Sequence, residues 1–402
     1  MSKNNIIARG FGGDWNIDYI EQLIEDYQDS KAVESYYLCN LSDVMRKFDD
    51  WVKKLPRVKP FYAVKCNDDI GVLKTLSEIG CSFDCASASE ILELKALEVE
   101  SDRIIFANTT KMSSHIEVAK NNNVNLMTFD NEDELEKIKK IHSKANLILR
   151  IRYSSEKALY KLGNKFGCLP NTEASELLKL AKKFNLNVVG LSFHIGSSCE
   201  DYETYGAAIK VCRKLFDVAE TIGFKFNILD IGGGFPGNNF EKIDEFASKI
   251  NEYLDENFPI QEFLDLKIFS EPGRYFVESA FTLVTQIHSR KVNKDSNGVI
   301  HDVMYYLNEG VYSNFLFVPL GPEIVQPQIV KRLRSKEKYK TTIWGPTCDS
   351  TDKVCEDIEI ELMNIDDVLY FLNMGAYTIP LRTPFNNLGT TKVKYFINFN
   401  DW

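Results

Sequence analysis

The strongest constraint on the fold is a regular alternation between residues 60 and 272. Short runs rich in β-branched and aromatic residues alternate there with charged, helix-like stretches. The predicted strands begin near Phe61, Ser82, Arg103, Leu126, Leu147, Gly190, Ile228 and Lys267. The predicted helices between them include 71–79, 89–97, 131–142, 173–184 and 205–222. Alternating strands and helices indicate parallel pairing, and eight such units favour a closed (β/α)8 barrel.

A glycine tract raises one alternative to the barrel, an open Rossmann-like sheet. The tract is Gly232–Gly234, which follows the strand candidate at Ile228. It lacks the GxGxxG spacing of dinucleotide-binding proteins, and it follows the seventh predicted strand rather than the first. The barrel therefore remains the preferred prediction.

The pattern changes after residue 272, where helix signals become scarce. Strand-like runs cover 275–288, 301–307, 341–344, 357–362, 368–372 and 392–399. We therefore predict an α/β protein with a TIM-like barrel over 35–272. A second, all-β domain of a modified Greek-key or β-sandwich-like kind is expected from 1–34 and 273–402. The run 36–41 is a strand candidate that fits either domain.

Composition excludes several classes of protein. The formal net charge of −10, with both signs interspersed, argues against a nucleic-acid partner. No apolar run reaches the roughly eighteen residues that span a bilayer, and residues 1–15 lack a signal-peptide core, so we expect a cytoplasmic protein without membrane contact. The nine cysteines lack CxxC spacing and no HExxH motif occurs, so no metal site is expected.

Reactive or phosphate-binding groups follow the predicted barrel strands. They are Lys65, Asp84, Ser87, Asn108, Asp130, Arg150, His194, Ser197, Gly232–Gly234, Glu271 and Arg274. Barrel enzymes carry their chemistry at the carboxyl ends of the strands. The sequence therefore predicts an active site at that end of the barrel.

Four of these features suit an aldehyde cofactor that carries a phosphate. Lys65 can form a Schiff base, the Gly232–Gly234 tract can bind phosphate through backbone N–H groups, Glu271 can keep a pyridine nitrogen protonated, and His194 can stack on a flat ring. Each also has an ordinary structural explanation. A lone strand-end lysine usually extends to solvent, glycines mark tight turns, and a lone histidine is usually structural.

The motifs gain weight as an ordered set. They are PFYAVKCN (60–67), GLSFHIGSSC (190–199), LDIGGGFPG (229–237), EPGR (271–274), GPTCD (345–349) and NMGAY (373–377). Together they resemble the eukaryotic ornithine decarboxylase family, a branch of the barrel-type decarboxylases that depend on pyridoxal 5′-phosphate. The resemblance extends from about residue 35 to 400. It implies the barrel fold, this cofactor and a carboxy-lyase activity.

The resemblance also implies roles for individual residues. The catalytic set would be Lys65, His194, Glu271 and Cys348. The cofactor would contact or be supported by Lys65, Asp84, Glu90, Arg150, His194, Ser197, Gly234, Glu271, Arg274 and Tyr377. Lys65 would attach the cofactor, Glu271 would pair with its ring nitrogen, and the phosphate would lie near Gly234.

Family members form homodimers with shared active sites, which implies that part of each site comes from the partner subunit. Cys348 would then guide protonation after loss of CO2, and Asp349 would bind the distal amine of a diamino acid substrate. Lys165 and Asp352 resemble a pair that bridges the two subunits.

The substrate site departs from the family pattern. After the motif at 310–315, which includes Tyr312, the family usually has an aromatic residue followed by aspartate, whereas this chain has Leu320-Gly321-Pro322. Glu323 lies two positions beyond the expected aspartate and is a candidate substitute. Tyr312, Glu323 and Asp349 are therefore the candidate substrate residues.

Three functions are compatible with this departure. The first is decarboxylation of L-ornithine to putrescine, the first step of polyamine biosynthesis, and the second is decarboxylation of another basic amino acid. The third is binding without catalysis, as in the antizyme inhibitors, which sequester the regulatory protein antizyme. The retained cofactor residues favour an enzyme. Antizyme remains a possible partner, although the corresponding region, 113–136, is acidic at Glu117, Glu132, Asp133, Glu134 and Glu136.

Overall fold

The computed structural model describes residues 8–28, 34–155, 157–160, 163–199, 201–238, 240–330, 337–388 and 390–401. The chain divides into two compact units. We call residues 45–276 the barrel unit, and residues 1–44 with 277–402 the β unit.

The elements of the described residues are numbered in chain order. The strands are β1 (Ala8–Phe11), β2 (Tyr36–Asn40), β3 (Val58–Ala63), β4 (Ser82–Cys85), β5 (Ile104–Phe106), β6 (Leu126–Phe129), β7 (Asn146–Arg150), β8 (Ala158–Tyr160), β9 (Asn187–Ser192), β10 (Ser197–Cys199), β11 (Ile228–Asp230), β12 (Lys267–Ser270), β13 (Phe281–Lys294), β14 (Ile300–Leu307), β15 (Gln328–Ile329), β16 (Lys338–Trp344), β17 (Lys353–Glu361), β18 (Val368–Phe371) and β19 (Lys392–Asn398). The helices are α1 (Ile17–Gln28), α2 (Leu41–Lys54), α3 (Ile70–Glu78), α4 (Ala88–Ala96), α5 (Ser113–Asn121), α6 (Glu132–Ile141), α7 (Ala174–Lys183), α8 (Tyr202–Ile222), α9 (Phe240–Asn257), α10 (Arg274–Val277) and α11 (Phe317–Leu320).

The barrel unit contains a closed parallel barrel. Its strand order is β3-β4-β5-β6-β7-β9-β11-β12, and β12 pairs with β3 to close it. All eight strands lie where the sequence predicted them, so the barrel prediction is confirmed. The segments between them are too short in most cases for anything but one helix, and parallel pairing requires such a crossover.

The barrel interior is filled by side chains. Phe61, Ile105, Ile148 and Ile228 come from alternate strands of the barrel and form one buried cluster with Phe269. The rings of Phe61 and Phe269 lie 4.5 Å apart between centroids. Layers from alternate strands are typical of this fold and leave no channel. Chemistry is therefore confined to the barrel mouth.

Helix caps explain where the crossover helices begin and end. The Asn131 side chain accepts a hydrogen bond from Glu134 N at 2.9 Å at the start of α6, a helix with acidic residues in its first turn and lysines in its last. Asp69 caps α3 in the same way. Helix α8 ends at Gly223, whose φ of +95° suits glycine. These local signals agree with the predicted helices.

A small antiparallel pair at the carboxyl end of the barrel was not predicted. Strand β8 pairs with β10, with Ser197 opposite Tyr160 and Cys199 opposite Ala158. Three residues are too few to display an alternating pattern, so the sequence carried no strand signal there. The pair holds Ser197, a predicted phosphate ligand, on regular structure.

The β unit is built on one mixed sheet. Among the described residues the sheet has nine strands, in the order β1-β19-β2-β13-β14-β16-β17, with β18 and β15 branching from β13. The first half of β13 pairs with β2 and β18 and its second half with β14, and the register shifts between Ile287 and Ser289. Helix α1 packs Leu23 and Ile24 into the apolar core of this sheet. A separate, mostly β domain is confirmed.

The division between the units differs from the predicted boundaries. Residues 35–44, expected in the barrel domain, lie in the β unit because Tyr36–Asn40 pairs with β13 and β19. The predicted strand 275–288 begins instead at Phe281, and Arg274–Val277 is a short helix. The unit also contains α1 and α11, so it is not all β.

No helix in the described part of the chain is both long and apolar enough to cross a membrane. The same residues contain no group of three or more His, Cys, Asp or Glu side chains with the geometry of a metal site.

Candidate active site at the barrel mouth

Lys65 and Asp84 form an ion pair at the barrel mouth. Strand β3 ends at Ala63, and the 3-10 turn Val64–Cys66 carries Lys65 beside the end of β4. Lys65 Nζ donates to Asp84 Oδ2. The Lys65 side chain is 39% exposed, whereas that of Asp84 is fully buried. Asp84 Oδ1 accepts no hydrogen bond from any described residue, which leaves a buried acceptor available beside the lysine.

The start of α4 holds a second carboxyl group near this pair. Ser87 accepts a hydrogen bond from Glu90 N at 3.2 Å, and Glu90 in turn accepts one from Ala86 N. Ser87 is the N-cap of α4, and the two bonds together fix the first turn of the helix to the residue before the cap. Burial is the main cause that raises the pKa of Glu90 to about 7, and the charge of Lys65 opposes it. Glu90 is thus partly neutral at physiological pH.

Two further carboxyl groups, Asp230 and Glu271, lie together where β11 and β12 end. Both are buried. Burial raises the pKa of Asp230 to about 6. Burial also raises the pKa of Glu271 well above its usual value, and the neighbouring charges of Asp230 and Asp84 raise it further. Both shifts favour the protonated form of these carboxyl groups, and the charge of Asp230 adds to the shift of Glu271.

His194 follows β9 and is held in one neutral form. Its Nδ1 accepts a hydrogen bond from Gly196 N at 3.0 Å, which leaves the ring proton on Nε2. Burial, followed by the positive charges of Arg150 and Lys65, keeps the pKa of His194 well below its usual value. The ring is therefore uncharged at neutral pH and suited to stacking rather than to proton exchange.

The tract Gly232–Gly234 packs against the backbone of the loops that follow the two neighbouring strands, β9 and β12. A Cβ atom on Gly232 would lie 2.1 Å from Phe193 O, and one on Gly233 would lie 2.4 Å from Glu271 O. Gly234 has a φ of +120°, and its Cβ would lie 2.5 Å from Gly196 O. No side chain fits at these positions, so the tract presents bare backbone, as phosphate-binding loops do.

The loop after β12 joins the Glu271 region to the Lys65 turn. Pro272 O accepts a hydrogen bond from Ala63 N at 3.1 Å, and Gly273 packs against the Cys66 side chain. Arg274, which begins α10, is buried. The backbone contacts therefore bring Glu271, Arg274 and Lys65 to one side of the mouth.

Three of the predicted strand-end groups serve the loops around the mouth. Asp130 Oδ2 accepts a hydrogen bond from Gly167 N at 2.8 Å. Asn108 Nδ2 donates to Ala86 O at 3.2 Å. The Arg150 guanidinium lies 5.1 Å from the ring centroid of Phe166. Arg150 still contributes positive charge to His194, Asp230 and Glu271.

The remaining predicted site residues belong to the β unit, which is described by itself. Asp349 accepts hydrogen bonds from Tyr312 Oη at 2.7 Å and from Thr351 N at 2.8 Å, and these bonds lower its pKa. Cys348, beside it, is exposed. Glu323 is half-buried in the segment that follows α11. The GPTCD loop thus carries an ionised carboxylate next to an accessible thiol.

Asp352 organises this loop from within. It accepts hydrogen bonds from Val311 N at 2.8 Å and from the backbone and hydroxyl of Thr347 at 2.9 and 2.7 Å. Lys165 is exposed in the barrel unit, with its ammonium 5.2 Å from the Phe166 ring. The bridge between subunits through these two residues stays a prediction, and the structure adds a local role for Asp352.

Tyr377 lies in a strained loop of the β unit. Its φ is +55°, and Asn373 in the same loop has a φ of +59°. Gly375 packs so closely on Val277 that its Cβ would lie 1.8 Å from the Val277 carbonyl oxygen. Left-handed conformations at non-glycine residues often occur at functional sites.

Comparison with known proteins identifies the family. Residues 41–278, more than half of the chain, match the family model described as pyridoxal-dependent decarboxylase, pyridoxal binding domain. The chain belongs to this family. Pyridoxal phosphate is the cofactor of these decarboxylases, and the resemblance derived from the motifs is confirmed.

Relatives over nearly the whole chain place it in the eukaryotic ornithine decarboxylase branch. Ornithine decarboxylase of Mus musculus is 41% identical over 396 residues, which is 96% of this chain and 85% of that protein. Antizyme inhibitor 2 of Xenopus laevis is 39% identical over 407 residues, or 99% of this chain and 88% of that protein. The arginine decarboxylase of Paramecium bursaria Chlorella virus, solved with agmatine, has a TM-score of 0.88 at 34% identity and covers 94% of this chain and all of its own.

The barrel mouth of this decarboxylase fits the family's cofactor. An aldehyde needs an amine, which Lys65 offers, and a ring nitrogen needs a carboxyl group, which Glu271 offers. A phosphate needs bare backbone, which the Gly232–Gly234 tract offers. The buried Asp84 Oδ1 without a described partner is consistent with a missing polar group in this place.

The sequence reasoning missed Asp230. This residue ends β11 directly before the glycine tract, and the strand-end rule that selected Asp84 would have selected it as well. The motif LDIGGGFPG contains it directly before the glycines that predicted phosphate binding.

Proposed function

We propose that this chain decarboxylates a basic amino acid with pyridoxal phosphate, and that its substrate is L-ornithine and its product putrescine. The observation that carries the proposal is the complete set of cofactor groups at the barrel mouth. Lys65 is paired with Asp84, and burial raises the pKa of Glu271 well above its usual value. A chain that had given up catalysis would have no need to keep buried charges together at such cost.

The barrel residues bind and orient the cofactor. Lys65 would be the attachment amine, held in place by Asp84. Glu271 would pair with the ring nitrogen, and the neutral His194 would face the ring. Bound pyridoxal phosphate supplies an electron sink for the negative charge that loss of CO2 leaves at Cα.

The phosphate is assigned to a group of small or cationic residues. They are Ser197, Gly234, Arg274 and Tyr377, with Glu90 and Arg150 as supporting charges. Three properties support this assignment: the bare backbone of the tract, the burial of Arg274, and the strained φ of Tyr377. Backbone N–H groups and a guanidinium are the usual partners of phosphate oxygens.

The residues of the GPTCD loop are assigned to the substrate side of a site shared between two copies of the chain. Asp349 is ionised and suited to the distal ammonium of a diamino acid, and Tyr312 fixes its orientation. Cys348 is exposed and suited to deliver a proton to Cα. Glu323 is proposed as the second acid, in place of the aspartate that most relatives have after this motif.

Carbon dioxide release tests the proposal. The purified protein, loaded with pyridoxal phosphate, is given ornithine, lysine or arginine separately. Ornithine is expected to be turned over fastest, and Lys65→Ala should abolish release with any substrate. Lys53→Ala, a change of an exposed lysine on α2, is the matched control.

Faster release from lysine or arginine would reassign the substrate within the same reaction class. No release from any of the three, with the cofactor bound, would favour the other candidate, an antizyme-binding paralogue. Two observations motivate that candidate: the 39% identity to an antizyme inhibitor and the Leu320-Gly321-Pro322 segment at the specificity loop.

A further inference from the structure

Asp230 is a buried carboxylate for which the reaction above has no use. It ends β11, with Ser192 of β9 and Phe269 of β12 as its pairing neighbours, and its side chain is fully buried. Burying an ionisable carboxyl group is costly unless hydrogen bonds or charges compensate. We therefore expect Asp230 to have a role, and its hydrogen-bond partners indicate which.

One oxygen of Asp230 fixes the glycine tract. Asp230 Oδ1 accepts a hydrogen bond from Gly232 N at 2.9 Å, which sets the turn that follows the strand. Gly232 O accepts hydrogen bonds from Glu271 N at 2.8 Å and from Ser270 Oγ at 2.6 Å. A continuous set of hydrogen bonds thus connects the Asp230 carboxylate, through the Gly232 peptide, to the backbone of Glu271.

Close packing makes this connection rigid. A Cβ on Gly232 would lie 2.9 Å from His194 Cα, and one on Gly233 would lie 3.1 Å from His194 Nε2 and 2.4 Å from Glu271 O. Any displacement of the Gly232 peptide is therefore passed to both His194 and Glu271. These are the two residues assigned to the face and to the nitrogen of the cofactor ring.

The negative charge of Asp230 also acts on Glu271. The charged residues that face Asp230 are Glu271, Asp84 and Arg150, and the Cys212 thiol lies nearby. Lys65 and Arg150 are the cations that act on Glu271, and Asp230 and Asp84 are the anions that act on it. Burial raises the pKa of Asp230 to about 6, and burial together with the charge of Asp230 raises the pKa of Glu271 well above its usual value, which favours a proton on Glu271. Removing the Asp230 charge removes one cause that keeps this proton bound.

We propose that Asp230 is a positioning residue of the cofactor site: it fixes the glycine tract and Glu271 through the Gly232 peptide, and its negative charge favours a proton on Glu271, the residue assigned to the ring nitrogen. This inference rests on the proposed function, because it assumes that Glu271 meets the ring.

The test measures protons taken up on binding, not turnover. The cofactor-free full chain is titrated at pH 8 with pyridoxine 5′-phosphate, which has the ring and phosphate but no aldehyde and so cannot attach to Lys65. Isothermal titration calorimetry in two buffers of different ionisation enthalpy gives the affinity and the number of protons exchanged. The variants are Asp230→Asn, Asp230→Ala and the control Asp102→Asn, which changes an exposed aspartate in a turn.

Asp230→Asn keeps the shape and the acceptor for Gly232 N but removes the charge. It is expected to take up more protons from the buffer than the wild type, by up to about one, and to bind about tenfold more weakly, since one pKa unit corresponds to a factor of ten. Asp230→Ala also loses the turn and should bind more weakly still. If that variant fails to fold, Asp230→Asn alone decides the question.

The outcomes separate the two proposals. If the wild-type protein binds the probe, and Asp230→Asn has the same affinity and the same proton uptake, the role of Asp230 is overturned and the proposed function stands. Failure of the wild-type protein to bind the probe at all would overturn the proposed function and the role of Asp230 with it.

Discussion

At the scale of single residues, the buried Asp84 fixes the position of the Lys65 amine. Asp84 is inaccessible, and its Oδ2 holds the Lys65 ammonium at the edge of the barrel. Attachment of an aldehyde requires an amine that has lost its proton. Asp84 Oδ2 lies within hydrogen-bond reach of the Lys65 amine. The pair thus combines positioning with an acceptor for that proton.

Glu90 gives a prediction about pH at the same scale. Its pKa is raised by burial to about 7 in the folded chain, above the value of an unfolded glutamate. The folded state then binds more protons than the unfolded state between about pH 4.5 and 7, so this group's contribution to stability falls as the pH rises through that range. Glu90→Gln stays neutral at every pH, so the variant should not lose stability in this range through this position.

Urea unfolding of the cofactor-free protein at pH 5 and pH 8 measures this effect. The variant is expected to gain on the order of 2 kcal/mol relative to the wild type between the two pH values. Glu98→Gln, a change of an exposed glutamate, should show no such gain. Parallel pH dependence in Glu90→Gln and wild type would contradict the raised pKa.

At the scale of elements, a buried lysine ties the β5–α5 loop to its neighbours. Lys111 Nζ is paired with Glu134 of α6 at 2.8 Å and donates to Thr128 O of β6 at 2.6 Å and to Asn108 O at 2.9 Å. Lys137 completes the network by a contact of 2.6 Å with the other Glu134 oxygen. One cation therefore connects a loop, a strand and a helix.

Lys111→Met should be strongly destabilising. The change removes one cationic partner from the buried Glu134 and one donor from each of two carbonyl oxygens, Asn108 O and Thr128 O, which we expect to cost about 3 kcal/mol of unfolding free energy. Lys120→Ala on the exposed face of α5 is the control and should stay within about 0.5 kcal/mol of the wild type. Denaturant unfolding gives both values, and equal losses in the two variants would show that the network adds nothing.

The elements also show what the sequence could and could not predict. Regular alternation was enough for the eight barrel strands, because most of them lie between two helices that set their limits. Tyr36–Asn40 was ambiguous because a buried strand reads the same in either unit, and only its pairing with β13 and β19 decides. The β8–β10 pair was too short to carry a pattern. The role of Asp230 depends on a hydrogen bond to Gly232, which no spacing reveals.

At the scale of the whole molecule, the proposed shared site makes a prediction about mixed dimers. Lys65 lies in the barrel unit and Cys348 in the β unit. If each site takes one of them from each subunit, Lys65→Ala and Cys348→Ala are each inactive alone, yet a mixed dimer contains one intact site. Equal mixing under exchange should then restore about a quarter of wild-type turnover.

The assay is carbon dioxide release from ornithine before and after the two variants are mixed. Mixing either variant with its own kind is the control and should restore nothing. A mixture that stays inactive, although mass spectrometry detects mixed dimers, would mean that Lys65 and Cys348 of one site come from the same chain.

The division of the β unit into two stretches of sequence constrains how a ribosome-bound chain acquires its structure. Strand β2 leaves the ribosome early, but its neighbours β13 and β19 follow only after residues 45–276 have been synthesised. The barrel has all its strands in one stretch and can form first, in agreement with the usual order of folding during synthesis. Until β13 emerges, the strand Tyr36–Asn40 lacks this partner, and unpaired strand edges favour aggregation, so a pause in translation before residue 281 would prolong the exposure of such an edge.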